Sequence, residues 1–422
     1  MKWRWVVAAL TVLIAVGIGV ARWTPEVPPG EVMSSISFGD SYYLLRNALT
    51  TLGVPSADAF ATSREWLAPL SFEWVQMTRE PVALQELAQI YGSGTDEAVS
   101  PRYVAIFEAR PLSSWVLARL IVLFGPGALA VFTVGWGVLA LLAAAALAVQ
   151  VARAAGFRTA APAAGLVAVL VLAVLPPGFW ISRFLYEGAS YATAIAAVCV
   201  AFAAAENPAN GGRWWWLFPL SAGVSLFTRP SYAVPLIVGL SGFLLIGGAL
   251  RHPRWNRMSA AGLGGLVALV AYQVVSRRSG WPGLGETLQD TFTYHFTSPD
   301  VPNPVELWVQ LLKDAFPQYQ EAAGSSLPLL LSAVVSVSYL VWRLRWLSVP
   351  VVMLSAVGLA NMVVHPIIGE AARLGSIALV PVAVAVGLAI AELLARVAPS
   401  QFGSVETDKE QQQPEEVTEV QG

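Results

Sequence analysis

Asp40 stands in Ser37-Phe38-Gly39-Asp40-Ser41-Tyr42-Tyr43-Leu44-Leu45, ahead of a helical pattern in which Tyr43, Leu44, Ala48 and Leu49 share one face. An aspartate there is an ordinary helix cap, worth about 1 kcal/mol. It is also a carboxylate shortly after a long apolar segment, with a glycine before it and aromatics after it, where a general base can reach a substrate at a membrane surface. A second constellation, Phe107-Glu108-Ala109-Arg110-Pro111-Leu112-Ser113-Ser114-Trp115, sets a carboxylate and a guanidinium just ahead of a proline-led helix start. The guanidinium fork suits bidentate capture of a phosphate, and an arginine so placed also snorkels to lipid headgroups. Leu112, Trp115, Val116 and Arg119 share a face that would lie along a membrane. Arg183, Arg229 and Arg373 stand alone in short turns, and Glu187 follows the first of them. His295 and His365 have the ring chemistry for acid or base work near neutral pH, although a single loop histidine is more often an ordinary polar residue.

The elements that must position these groups are apolar. Of 422 residues 56% are hydrophobic and 12% charged, half the usual fraction of about 25% for a soluble globular protein. Lys plus Arg number 25 against 27 acids, so no basic field exists to hold nucleic acid. The single cysteine, Cys199, excludes a disulfide framework within the chain and a cysteine zinc site. A span needs about 20 largely apolar residues. Ten segments approach that: Trp5–Ala21, Ala128–Val151, Thr159–Leu175, Ala189–Ala205, Trp214–Phe227, Tyr232–Leu250, Ser259–Val275, Ser326–Trp342, Ser348–Val364 and Leu374–Leu394. The expected fold is an all-α polytopic membrane protein of about ten transmembrane helices, with interfacial helices in a large first outer loop. Residues 1–396 form one membrane domain with outer loops at about 22–127 and 276–325, and 397–422 form a disordered cytoplasmic tail. The first span reads either as a signal peptide cleaved near Gly19 and Ala21 or, favoured by the Arg22-Trp23 flank, as an uncleaved anchor.

Basic residues cluster in one set of short connections: Lys2, Arg4, Arg153, Arg158, Arg213, Arg251, Arg254, Arg257, Arg343 and Arg345. The positive-inside rule makes these cytoplasmic, puts both termini inside and turns Asp40, Arg110, Arg183, Arg229 and Arg373 outward. The second outer segment is rich in aromatics, Trp281, Phe292, Tyr294, Phe296 and Trp308, which fit either a sugar-stacking platform or a membrane belt.

Span order and three short motifs resemble the GT-C superfamily of polyprenyl-phosphate-sugar-dependent glycosyltransferases. Gly39-Asp40-Ser41-Tyr42-Tyr43 is similar to the acidic pattern that opens the family's first outer loop. Phe107-Glu108-Ala109-Arg110-Pro111-Leu112 looks like the Phe-Glu-Lys-Pro-Pro-Leu stretch of the aminoarabinose transferase branch, with Arg for Lys and one Pro missing. Ala222-Gly223-Val224-Ser225-Leu226-Phe227-Thr228-Arg229-Pro230 resembles the family's Gly-rich span ending in Thr-Arg-Pro. The resemblance, loosely to the aminoarabinose and mannosyl transferase branches, implies a bacterial plasma-membrane enzyme. It would move a sugar with inversion from a polyprenyl phosphate to a glycan, lipid or protein acceptor at the outer face. Asp40 would be the base, and Arg110, Arg229, Arg183 and Arg373 would hold the donor phosphate. Glu108, Glu187, His295, His365 and Tyr43 are secondary candidates. No Asp-x-Asp pair occurs, so a tightly held divalent metal is not supported. No Gly-rich phosphate loop occurs either, which favours a lipid-linked donor over a nucleotide sugar. The alternatives are an inactive scaffold or assembly subunit of the same fold and a lipid or solute transporter. The last should show repeated halves and ionisable residues at mid-membrane.

Overall fold

The computed structural model describes residues 2–23, 39–67, 70, 100–206, 214–251, 256–293, 296, 298–325, 327–366 and 373–398. His295 and most of the expected tail lie outside the described residues. All regular elements among the described residues are helical. Helix α1 (Lys2–Ala21) is followed by α2 (Gly39–Thr51), α3 (Ser56–Leu67), α4 (Pro101–Glu108), α5 (Pro111–Phe124), α6 (Ala128–Ala154), α7 (Ala161–Val174), the short α8 (Pro176–Trp180) and α9 (Glu187–Glu206). Then come α10 (Trp214–Thr228), α11 (Pro230–Arg251), α12 (Arg257–Arg278), α13 (Leu284–Phe292), α14 (Pro304–Ser325), α15 (Leu327–Leu344), α16 (Val349–Val364) and α17 (Val380–Val397). Prolines account for many of the starts: α4, α5, α7, α8, α16 and α17 each carry one in the first two positions, where its missing N–H leaves no bond unmade.

Seven helical stretches are long and apolar enough to cross a membrane: Trp3–Ala21, Pro111–Ala154, Glu187–Glu206, Pro230–Leu250, Arg257–Arg278, Leu327–Val364 and Arg373–Val397. Leu327–Val364 contains two of the expected segments, divided at Arg345, whose φ is 52°. The others without their own place among the seven are α7, with 14 residues, and α10, with 15. Helix α5, expected to lie along the interface, runs into α6 through Gly125, whose φ of 55° suits a residue without a Cβ. It buries Ser113, Ser114, Leu117 and Ala118 and leaves Trp115, Val122, Leu123 and Phe124 exposed.

The main core is built around α9, whose residues from Glu187 to Ile195 are all buried, with alanine at about every second position. Small residues let the helices approach closely, which is how apolar helices associate where no hydrophobic effect drives them together. At Gly387 on α17 an added Cβ would stand 2.5 Å from the carbonyl oxygen of Ala164 on α7. A second, smaller core joins Leu44, Leu45, Ala48 and Leu67 to Phe107, Leu117, Phe132 and Phe184. Arg22, expected as an interface anchor, is half turned inward: its guanidinium donates to the carbonyls of Ala173 and Gly178, tying the end of α1 to the carbonyl-rich end of α7.

Candidate functional site

The site lies at the end of the bundle opposite the N-terminus of α1, and it is assembled from helix ends. Asp40 is in the first turn of α2. Ser41 beside it donates to the Phe184 carbonyl at 2.5 Å, docking that turn on the buried strip 181–186 between α8 and α9. Arg110 is the residue before α5 and makes no capping bond with its side chain, which leaves the guanidinium free to enter the site. Glu187 opens α9, Arg229 sits between α10 and α11, and Arg373 precedes α17.

These five side chains form one network. Arg373 Nη1 donates to Asp40 Oδ2 at 3.1 Å, and its Nε stands 3.5 Å from Glu187 Oε1. Glu187 Oε1 also takes Arg229 Nη1 at 2.5 Å, with both side chains at most 3% exposed. Arg110 Nη1 lies 3.9 Å from Asp40 Oδ2, too far for a hydrogen bond. Buried Arg110 Nη1, Arg229 Nε and Glu187 Oε2 have no hydrogen-bond partner among the described residues. Among the described residues this network brings three guanidiniums, Arg110, Arg229 and Arg373, against the carboxylates of Asp40 and Glu187. Burial works against ionisation of Asp40, but Arg373, Arg110 and Arg229 outweigh it and hold its carboxyl below the usual range.

Aromatic rings wall the cations. Arg110 lies over the rings of Tyr186 and Phe107, at 4.6 and 5.1 Å, and Arg229 lies over Tyr232 at 4.8 Å. Tyr191 donates to the Arg373 carbonyl at 3.1 Å and Tyr232 to the Leu374 carbonyl at 2.9 Å, so two hydroxyls fix the backbone that carries Arg373. Burial pushes the Tyr186 hydroxyl up, keeping it a neutral donor. None of these tyrosines was singled out from the sequence. Their signal was a hydroxyl at or one turn from a charged residue, Tyr186 before Glu187, Tyr191 four after it and Tyr232 three after Arg229. His365 closes the far side, with Nδ1 3.5 Å from Thr291 Oγ1. Burial first of all lowers its pKa; Asp290 and Asp40 oppose that, and Arg373 and Arg229 add to it.

Asp40, Arg110, Arg229 and Arg373 thus come together, with Glu187 and His365. Three expected members do not join them. Arg183 turns away and lies 4.1 Å over the Phe179 ring, within electrostatic reach of Arg22, because the strip 181–186 winds back before entering α9. Glu108 pairs with Arg46 at 3.5 Å. Tyr43 stacks on Phe107 with ring centroids 4.3 Å apart and is a core residue. In the stretch 276–325, expected as the second outer loop, Trp281 packs against Phe227 and Tyr272, Trp308 donates to the Val363 carbonyl, and Phe296 lies under Arg102. Arg102 in turn holds Glu286 and Asp300, so α4 is clasped to α13 and to the turn that follows it. Among the described residues no group of three or more His, Cys, Asp or Glu is placed to hold a metal ion. Compared with known protein families, with curated proteins and with solved structures, the chain has no significant match.

Proposed function

We propose that the chain is a membrane glycosyltransferase of GT-C type that moves a sugar from a polyprenyl phosphate to an acceptor hydroxyl at the outer membrane face, with ten crossings and both termini cytoplasmic. The observation that carries the reading is the convergence of three guanidiniums in a buried, aromatic-walled network at a bundle end, with Arg110 Nη1 buried and without a hydrogen-bond partner among the described residues. A buried guanidinium N–H left unmet is costly, and an anion that enters beside Arg110 relieves that cost. A lipid phosphate has the charge, the fork-matching oxygens and a tail that fits beside apolar helices.

The chain's own residues supply the rest. Arg229 is held by Glu187 at 2.5 Å, so Arg110, with its unmet Nη1, is the first phosphate ligand, and Arg373 joins it by exchanging its contact with Asp40 for one with the phosphate. At rest both neighbour Asp40, which makes that carboxylate a weak base. A phosphate between them competes for the same donors, so its arrival releases Asp40 and raises its basicity at the step that needs it. The acceptor hydroxyl gives its proton to Asp40 as its oxygen bonds to the anomeric carbon. The bond from that carbon to the phosphate oxygen breaks, and the two arginines hold the charge left on the phosphate. A single displacement inverts the anomeric centre.

The test is transfer from a panel of polyprenyl-phosphate sugars by the protein in nanodiscs. Asp40→Asn is expected to lower transfer at least 100-fold while retaining donor binding, and Arg110→Ala to weaken donor binding. Full activity in Asp40→Asn sinks the assignment of the base. Absence of transfer with every donor, together with intact phosphate binding, favours the scaffold reading, in which the network is structural.

A further inference from the structure

An open cleft of about 280 Å³ lies between the second half of α2 and the start of α5, lined by Asn47, Thr50, Thr51, Glu108, Pro111 and Ser114. Its lining comes from the two helices, α2 and α5, at whose starts Asp40 and Arg110 stand. Asn47 follows Asp40 by seven residues, so it lies on the same side of α2 about 10 Å further along. Ser114 is one turn into α5 from Arg110, and Pro111 adjoins that arginine. The volume is near the lower end of the range for small-molecule clefts, about 300 Å³, and suits one ring.

The lining is polar, and two of its buried groups, Asn47 Nδ2 and Ser114 Oγ, have no hydrogen-bond partner among the described residues. Asn47 is 6% exposed; its Oδ1 accepts from Arg46 Nη1 at 2.9 Å, and its buried Nδ2 has no hydrogen-bond partner. A buried amide donor left unpaired is a cost that a ligand oxygen removes. The Glu108 carboxylate adds acceptors, and so do the oxygens of the Thr50 and Thr51 hydroxyls, which both donate to the Asn47 carbonyl. Glu108 is balanced by Arg46, which also donates to Ser56 Oγ at 2.5 Å, so the cleft offers hydrogen bonds without a net charge. A carboxylate at its wall disfavours an acidic ligand.

We propose that this cleft is a subsite for one neutral sugar ring, bound through its hydroxyls next to the phosphate held by Arg110 and Arg373. The inference rests on the phosphate reading above and adds the class of sugar: a neutral hexose and not a uronic acid. The ring belongs either to the donor, as the sugar on the lipid phosphate, or to the acceptor.

The full chain in nanodiscs is titrated with farnesyl phosphate, with farnesyl phosphate bearing glucose, with the same lipid bearing glucuronic acid, and with methyl glucoside. Two variants accompany the wild type. Asn47→Asp keeps the oxygen that faces Arg46 and removes the unpaired donor, and Thr51→Trp fills the cleft from its exposed rim. For a donor sugar, the glucosyl lipid binds about tenfold more tightly than farnesyl phosphate, the glucuronosyl lipid does not, and both variants abolish the gain while farnesyl phosphate binds as before. For an acceptor sugar, methyl glucoside binds saturably, the variants abolish it, and the lipid sugar adds nothing. Equal affinity for bare and glucosylated lipid together with no saturable glucoside binding overturns the subsite. Failure of farnesyl phosphate to bind overturns the phosphate reading instead, and the glucoside arm then decides the cleft.

Discussion

Asp40 and Glu187 share Arg373 but sit in different surroundings: the Asp40 side chain is 18% exposed and Glu187 has no exposure. Removing Glu187 leaves Arg229 buried beside two other guanidiniums, so Glu187→Gln is expected to cost about 3–5 kcal/mol. Glu187→Gln combined with Arg229→Met removes both charges and should cost less than either single change, measured by unfolding in detergent. If the double variant is as unstable as the sum of the singles, the pair is not the relevant unit. The pH response has a definite sign. The folded pKa of His365 lies below its unfolded value of about 6.5, so the unfolded chain binds the proton more readily. The contribution of His365 is full above about pH 6.5 and is lost as pH falls through the folded value. Asp40, also lowered, adds a further loss only below its unfolded value of about 3.9. The melting temperature should therefore hold from pH 8 to about 6.5 and decline below, and His365→Gln should flatten the first part of that decline. Most of the site was legible because a charge in a chain this apolar needs a reason. Arg183 and Arg373 were indistinguishable in sequence, each a lone arginine in a short turn, and only the winding of strip 181–186 separates them. The tyrosines stayed hidden because a tyrosine near a span end also serves as a membrane belt.

The apolar segments were legible as helices from length and hydropathy, but their facing was not. Helices apolar all round, such as α7 and α9, have no polar stripe to mark the outside, so partners are set by side-chain size. Gly387 shows this: its lack of a Cβ admits the Ala164 carbonyl of α7, and nothing in the apolar pattern of α17 marks it. Gly387→Val should push α17 off α7 and cost about 1–3 kcal/mol. Gly223 in α10 has open space where a Cβ would go, so Gly223→Ala should be neutral or stabilising by up to about 1 kcal/mol. Melting of the two variants in the same detergent tests whether close approach, and not glycine content as such, holds the bundle. Equal destabilisation would refute the argument.

Across the whole molecule the two ends of the bundle differ in kind. The site end holds a buried network of both signs, whereas the other end carries basic residues in its short connections, among them exposed Arg153, Arg158 and Arg345, besides the pairing of Glu392 with Arg343 and Arg396. Dispersed lysines and arginines in short connections mark the cytoplasmic side, so the network and its cleft should face outward. The chain suits a labelling test, since its single cysteine, Cys199, is buried in α9 and gives little background. In intact cells an impermeant maleimide should label Thr51→Cys at the cleft rim and Ser298→Cys in the second outer segment. Arg158→Cys, between α6 and α7, should label only after the membrane is permeabilised. The reverse pattern would turn Asp40 and Arg110 to the cytoplasm, where nucleotide-linked donors are made, and would remove the reason for preferring a sugar carried on a lipid.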